Sequence, residues 1–151
     1  MNYPNSRLRR LRYNPNIRNL MEDVDLKASD LIYPIFICEG ENIKEEIESL
    51  SGQYRYSIDN LLILTKELIS LNIKSILLFG VSNNKDDSGN IACSHKSIIP
   101  KAVKKIKEKY NNEILVIADL CNCSYTSHGH CGTLIDGDVD NDSTIETLCK
   151  Q

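Results

Sequence analysis

Three apolar runs, at residues 31–37, 75–81 and 114–119, divide the chain. Each is rich in β-branched or other large apolar residues and is bounded by polar or Gly/Asn-rich stretches, which is typical of a buried strand. Between the runs, apolar residues recur at the three- and four-residue spacing of amphipathic helices. Strands that alternate with helices at intervals of about 40 residues predict βαβ units and a parallel sheet, and therefore an α/β fold.

The predicted helices have recognisable start signals. Ser57 is placed to cap the first helix, and Pro100 suits the first turn of a second helix that runs to about Tyr110. Ser143 and Glu146 have the spacing of a capping box, which predicts a third helix. The apolar face of the first helix consists of Ile58, Leu61, Leu62, Leu68 and Leu71.

The first thirty residues lack a steady period, so we divide the chain into an N-terminal arm (1–30) and an α/β domain (31–151). The arm carries a cluster of arginines: Arg7, Arg9, Arg10, Arg12 and Arg18. A basic arm is usually a solvated tail or a nucleic-acid contact. A third interpretation is an arm that docks on a neighbouring subunit, since arginine suits ion pairs at interfaces.

Composition narrows the classes of protein. The chain has 151 residues, a net charge of −3 and 41% hydrophobic residues, as expected for one globular domain without a polyanion-binding role. No run approaches the ~18 apolar residues that span a bilayer, and the N-terminus lacks the apolar core of a signal peptide. We therefore expect a cytoplasmic protein that binds neither nucleic acid nor a membrane.

Three cysteines follow the third apolar run in a C-x-C-x7-C pattern: Cys121, Cys123 and Cys131. Thiolates are preferred zinc ligands, and three of them leave a fourth position open for water or substrate. His128 and His130 are candidates for a fourth ligand or for a group that hydrogen-bonds to a ligand. Free buried cysteines are the alternative interpretation, but so dense a cluster favours a metal. A disulfide is disfavoured because near neighbours bridge poorly and no secretory signal is present.

Other polar and sulfur-containing residues have no clear role. Residues 83–89 form a polar loop on the side of the predicted sheet that carries the cysteines, so they can approach a substrate; solvation alone also explains their polarity. Cys38, Cys93 and Cys149 are interpreted as ordinary small apolar residues.

The chain ends soon after the start of the third helix, at Gln151. A parallel sheet of three strands would leave an apolar edge and much of each face exposed. We therefore expect this sequence to be a piece of something larger, and to associate when isolated.

The motifs together resemble those of the porphobilinogen synthase family, also called 5-aminolevulinate dehydratase. The resemblance extends over nearly the whole chain and is densest in the cysteine segment. It rests on residues 9–12, 30–36, 39–41, 57–59, 78–81, 85–86 and 141–142, and on Asp119, Cys121, Cys123 and residues 125–132.

The resemblance implies a (β/α)8 TIM barrel, of which this chain holds the first three βα units, with an arm that wraps a neighbouring subunit, usually in octamers. It implies a lyase that condenses two 5-aminolevulinate molecules to porphobilinogen in heme biosynthesis. It assigns zinc (Zn2+) to Cys121, Cys123 and Cys131, and places Asp119 in the active-site lining. The resemblance also implies that His130 lies beside the metal ligands without binding the metal itself. Other branches of the family have aspartates in place of the cysteines and use magnesium.

The chain departs from the family's pattern at several positions, of which the missing lysines matter most. The family's two Schiff-base lysines belong to later strands and are absent here: Lys150 is the only lysine after Cys131. Asn122 stands where relatives often carry an apolar residue. We therefore expect the chain alone to be inactive. The alternatives are a non-catalytic remnant that binds zinc or docks on a subunit, and a small redox or zinc-storage protein, which the C-x-C spacing favours least.

Overall fold

The computed structural model describes residues 4–6 and 9–151, so Arg7 of the arginine cluster lies outside the described residues. The helices are α1 (Pro15–Leu20), α2 (Ile58–Ser70), α3 (Ile98–Tyr110) and α4 (Asn141–Lys150). The strands are β1 (Ile32–Cys38), β2 (Lys44–Glu46), β3 (Tyr54–Tyr56), β4 (Ser75–Val81), β5 (Leu115–Ala118), β6 (Leu134–Ile135) and β7 (Asp138–Val139). Short 3-10 turns occupy Arg10–Arg12, Ala28–Asp30 and Asn90–Cys93.

The main sheet has five strands in the order β2-β3-β1-β4-β5. Strand β1 is parallel to β4 along its whole length, from Ile32 opposite Ser75 to Cys38 opposite Val81. Strand β5 is parallel to β4, and β3 is parallel to the end of β1. The three predicted strands and their parallel arrangement in an α/β fold are thus confirmed. Within the described part of the chain, β5 pairs on one side only and leaves the expected free edge.

Helices α2 and α3 cover one face of this sheet. Alternate residues of a strand face the same side of a sheet. On this side the strands bury Ile37, Ile76 and Leu78 completely. Leu61 of α2 and Ile106 of α3 pack against them from the helix layer. The helices are joined by a hydrogen bond that Tyr110 Oη donates to the carbonyl of Leu62, at 2.6 Å.

The opposite face of the sheet is apolar too, but it is covered less completely. Phe36 and Phe79 stack there with ring centroids 5.2 Å apart and remain partly exposed. Leu77 is also partly exposed, whereas its neighbour Leu78 is buried. Sheets of parallel strands are normally covered on both faces, so this face is where a larger protein would place more chain.

The helix starts differ from the predictions in detail. Ser57 precedes α2, but its hydroxyl bonds the backbone of Ile43 instead of capping the helix. Helix α3 begins two residues before Pro100, which still lies in the first turn, where a missing N–H costs nothing. The capping box at Ser143 is wrong: α4 starts at Asn141, and Asp140 caps it by accepting from the Ser143 N–H at 2.9 Å.

Several short elements were not predicted. Strands β2 and β3 and the β6–β7 hairpin have two or three residues each, too few to show a period. In the arm, Asn14 caps α1 and accepts from the Asn16 N–H at 2.8 Å. Tyr13 and Leu20 of the arm are more than 80% exposed. Among the described residues, no helix is long and apolar enough to cross a membrane, and the cytoplasmic location stays a prediction.

Candidate metal centre

The cysteine segment begins where β5 ends. The Asp119 N–H donates to the carbonyl of Leu78 at 3.0 Å, which continues the pairing of β5 with β4 by one residue. Residues 119–133, here called the metal loop, then leave the sheet. Because β1, β4 and β5 are parallel, their carboxyl ends lie along one edge of the sheet, the carboxyl edge, which is distinct from the free edge along β5. The metal loop lies at the carboxyl edge. This edge is where ligands bind in parallel α/β folds.

The three cysteine thiols meet in the metal loop. Cys121 Sγ lies 3.1 Å from Cys123 Sγ and 3.6 Å from Cys131 Sγ. All three sulfurs lie within 4.8 Å of one another, and all three cysteines are free of disulfides. No histidine nitrogen or carboxylate oxygen of the described residues joins this group of close ligand atoms. The predicted thiols are therefore brought together, and no fourth ligand joins them from residues 4–6 and 9–151.

A hydrogen-bonded turn begins at Asn122, between the first two thiols. The carbonyl of Asn122 accepts from the N–H groups of Tyr125 and Thr126, at 2.8 and 3.0 Å. The side chain of Asn122 is 1% exposed, and neither of its amide atoms has a hydrogen-bond partner in the described structure. The turn thus forms at the cost of burying an unpaired amide.

The far end of the metal loop is held by hydrogen bonds and close packing. Thr126 Oγ1 donates to the carbonyl of His130 at 2.9 Å, and the Thr133 N–H donates to Thr144 Oγ1 of α4 at 3.1 Å. Gly132 packs directly on β7 and α4: a Cβ there would lie 2.7 Å from Cγ1 of Val139 in β7 and closer still to Oγ1 of Thr144 in α4. These contacts bring Cys131 back toward the sheet.

The two histidines have different surroundings. His128 Nδ1 faces the His130 N–H at 3.1 Å and must accept its hydrogen, so the proton of a neutral His128 ring lies on Nε2. His128 Nε2 then donates to the carbonyl of Asp87 at 3.1 Å. Both ring nitrogens of His128 are therefore engaged, which leaves no lone pair for a metal. The exposed ring of His130 lies beside it, with centroids 5.3 Å apart.

Proximity of the thiols shifts their titration. The hydrogen bond with Cys121, followed by burial, raises the pKa of Cys123 to about 11. The pKa of Cys131 is also raised, mainly by its hydrogen bond with Cys121. Burial and the nearby charge of Asp119 raise the pKa of Tyr125. Crowded thiols resist losing their protons because thiolates repel one another, and a cation among them removes that resistance. Three soft donors around one point therefore fit a soft divalent metal.

The remaining sulfur and lysine residues lie apart from this group. Cys38 is buried, and burial raises its pKa. Cys93 donates to the carbonyl of Thr147 at 3.5 Å, and Cys149 is exposed. Lys150 is exposed at the end of α4. Nothing in the described structure gives these residues a part in the metal centre.

The sequence did not reveal that the β4–α3 loop joins the site. Asp86 forms a parallel bridge with Thr126, and Asp87 accepts a hydrogen bond from Ser127, forty positions away. The polarity of residues 83–89 was the only signal, and no spacing rule connects residues so far apart in sequence. The structure shows that this loop contacts the metal loop, and its approach to a substrate stays a prediction.

Comparisons with known proteins identify the family to which the chain is similar. The family model described as Delta-aminolevulinic acid dehydratase matches residues 5–151. The dehydratase of Methanothermus sociabilis is 43% identical over 99% of this chain and 46% of its own length. The dehydratase of Helicobacter pylori (strain J99) is 44% identical over 96% of this chain and 45% of its own length. The chain therefore spans about half the length of the curated relatives it matches.

A solved structure is similar in fold. It is the delta-aminolevulinic acid dehydratase (porphobilinogen synthase) of Toxoplasma gondii ME49, in complex with the reaction product porphobilinogen. The TM-score is 0.92 at 33% identity, over 97% of this chain and 42% of that one. Since the family model covers almost every residue, including the three cysteines, the chain belongs to the delta-aminolevulinic acid dehydratase family.

Proposed function

We propose that this chain supplies the zinc-binding part of a porphobilinogen synthase. That enzyme condenses two 5-aminolevulinate molecules into one porphobilinogen with loss of two waters, in heme biosynthesis. The observation that carries the proposal is the convergence of three thiols at the carboxyl edge of a parallel sheet, in a chain of this family. In this proposal, residues 31–151 are the first three βα units of a (β/α)8 barrel, and residues 1–30 are its arm.

The metal ligands in this proposal are Cys121, Cys123 and Cys131. Thiolate sulfur is the donor that zinc prefers, and three protein ligands are the number found at catalytic zinc sites. When bound, zinc supplies a Lewis acid for a substrate oxygen. The chain's own contribution is to gather the three sulfurs and hold them at the edge of the sheet, through the Asn122 turn and the bond from Thr126 to His130.

Asp119 and His130 are proposed to border the substrate site. Asp119 directly follows β5. The hydrogen bond with Cys121 raises the pKa of Cys131 most, and the charge of Asp119 adds a smaller contribution in the same direction. Asp119 therefore lies within electrostatic reach of the metal ligands. His130 directly precedes Cys131 and is exposed, so its ring remains free to meet a substrate or a ligand.

The proposal also predicts that the 151-residue chain is inactive alone. Schiff-base formation needs an amine kept neutral by burial or by nearby positive charge. Lys150 is the only lysine after Cys131, and it is exposed on α4. The two lysines are therefore expected from a second segment of the barrel.

The arm supports a further part of the proposal, a homo-oligomer, which is an octamer in the family. Tyr13, Leu20, Val24 and Leu26 expose at least 75% of their surface. Burying such side chains against a neighbouring subunit gains free energy in proportion to the apolar area covered. Sedimentation of the chain with and without residues 1–30 tests this: we expect the arm to shift the distribution toward larger species.

Porphobilinogen formation tests the catalytic part. The chain should be assayed with 5-aminolevulinate and zinc, alone and mixed with the complementary C-terminal segment of the Methanothermus sociabilis relative. We expect product only in the mixture. No product in either assay, from a chain that binds zinc, would favour the non-catalytic remnant.

Metal analysis tests the zinc part separately. We expect about one zinc per chain, and loss of that zinc when the three cysteines are replaced by serine. Replacement of Cys38, Cys93 and Cys149 by serine is the matched control and should leave the zinc in place. Unchanged zinc in the first variant would contradict the assignment.

A further inference from the structure

The β4–α3 loop runs alongside the metal loop. The Asp86 N–H donates to the carbonyl of Tyr125 at 3.2 Å, and the Ser127 N–H donates to the carbonyl of Asp86 at 3.0 Å. These bonds form the short parallel bridge between Asp86 and Thr126. The backbone of the metal loop is thus paired with a second loop before it reaches Cys131.

Asp87 extends this pairing with two more contacts. Its carboxylate accepts a hydrogen bond from the Ser127 hydroxyl, and its carbonyl accepts from His128 Nε2 at 3.1 Å. His128 Nδ1 accepts in turn from the N–H of His130, the residue before Cys131. We call Asp87, Ser127 and His128 the Asp87 clamp. It connects the β4–α3 loop to the peptide that carries the third thiol.

The β4–α3 loop is itself fixed, so the clamp has a firm base. Asp86 Oδ1 accepts from the N–H groups of Ser88 and Asn90, at 2.9 and 3.1 Å. These bonds close a turn of the Asx type, which holds the backbone without help from the metal loop. The direction of Asp87 is therefore set by its own loop.

The tip of the metal loop is exposed, so hydrogen bonds and not burial determine its position. Ser127, Gly129, His130 and Cys131 are all exposed, so apolar burial contributes little to their position. Cys121 and Cys123, in contrast, are partly buried next to the end of β5. Thiolate geometry around a metal is specific, and groups behind the ligands commonly change metal affinity when removed.

We propose that Asp87 is a positioning residue for the metal centre: by holding Ser127 and His128, it determines where the thiol of Cys131 lies. The inference rests on the metal site of the proposed function. It also assigns His128 a role as a support of the loop instead of a ligand, since both ring nitrogens are used within the clamp.

The test compares zinc affinity in Asp87→Ala, Ser127→Ala and the double variant. Affinity is measured by competition with a chelator, and cobalt(II) provides an absorption spectrum that reports thiolate coordination. We expect each single variant to weaken zinc binding by about threefold to tenfold and to alter the cobalt spectrum. The double variant should be no weaker than the weaker single variant, because both remove the same bond.

Two controls separate positioning from general destabilisation. Asp87→Asn keeps an oxygen that accepts from Ser127, so its affinity and spectrum should stay near those of the parent. Asp30→Ala removes another exposed carboxylate, which accepts one hydrogen bond from the N–H of Lys27. Asp30 precedes β1 and lies at the end of the sheet away from the metal loop. This variant should leave both readouts unchanged. Should Asp87→Ala fail to fold, the comparison of Ser127→Ala with Asp87→Asn still decides.

Two results would overturn the inference. One is a parent-like affinity and cobalt spectrum in Asp87→Ala and Ser127→Ala. The other is an additive loss in the double variant. A parent chain that binds no zinc would overturn both this inference and the zinc site of the proposed function, whereas a zinc-binding parent with unaffected variants would overturn this inference alone.

Discussion

Two regions of the molecule exclude water by different means: the core beneath helices α2 and α3, and the metal loop. In the core, most of the fully buried side chains are apolar, such as Ile37, Ile76 and Leu78. In the metal loop, the most buried side chains are the polar residues Asn122 and Thr126, at 1% and 0% exposure. The core is therefore stabilised mainly by the removal of apolar surface from water. The metal loop is stabilised by hydrogen bonds between its polar groups.

This difference determines what each region can do. Removing atoms from an apolar core leaves a cavity and destabilises the fold, but burial does not depend on the exact direction of any one bond. A metal loop must fix three sulfurs to within a fraction of an ångström, and directional bonds achieve this better than non-directional burial. Placing the loop on the edge of the sheet combines a rigid base with directional support.

The largest expected effect is in the core. Leu78→Ala should lower the free energy of unfolding by about 3–5 kcal/mol, since it leaves a cavity in a fully buried layer. Leu77→Ala, the next residue on the less covered face, should cost about 1 kcal/mol. Urea unfolding measures both. Equal losses would contradict the difference between the two faces, and if Leu78→Ala does not fold, Ile76→Val provides a milder version of the same comparison.

A smaller loss is expected where the metal loop packs on α4. Gly132→Ala places a methyl group against Val139 and Thr144 and should cost about 1–3 kcal/mol by overpacking. Its backbone has no positive φ, so the cost is steric and not conformational. Zinc affinity should fall in parallel, as measured by chelator competition. An unchanged affinity would show that α4 does not help to hold Cys131.

A gain is expected inside the metal loop. Asn122→Leu removes an amide that is buried without a partner and substitutes an apolar group of similar shape. The thermal midpoint should rise, by an amount equivalent to about 1 kcal/mol, with zinc content unchanged. Thus apolar atoms removed from the core should destabilise the chain, whereas apolar atoms added here should stabilise it. A fall in the midpoint would show that the amide is satisfied.

The smallest effect should depend on pH. Hydrogen bonds from Ser143 lower the pKa of Asp140, so the folded chain favours its ionised form. This stabilisation is complete above the ordinary pKa of about 4 and is lost as the pH falls through the lower folded value. The midpoint difference between the parent and Asp140→Ala should therefore shrink as the pH falls below about 4. A constant difference would contradict it, and Leu77→Ala is the pH-insensitive control.

Much of the core followed from the sequence. The apolar run at 75–81 is a local feature of the sequence, and the structure has β4 at Ser75–Val81, the predicted range. The helix starts were less predictable, because Ser57 found a different partner in Ile43 and Asp140 competed with Ser143 for the cap of α4. Side chains that bond locally in several ways do not identify one partner by spacing alone.

The metal loop was only partly predictable. The spacing of Cys121, Cys123 and Cys131 was sufficient to indicate a metal site, since a short loop keeps its own residues close. The sequence could not show whether His128 is a metal ligand or a support for the metal loop. It depends on the carbonyl of Asp87, which reaches the ring from a position 41 residues earlier.

The sequence by itself determined the α/β class, the three long strands and the thiol set, because each is a property of neighbouring residues. The tertiary structure alone decided which sheet face is covered, that β3 lies beside β1, and that the β4–α3 loop meets the metal loop. Such contacts depend on the path of the whole chain, where burial of one face and the pairing of distant backbone groups outweigh local preference.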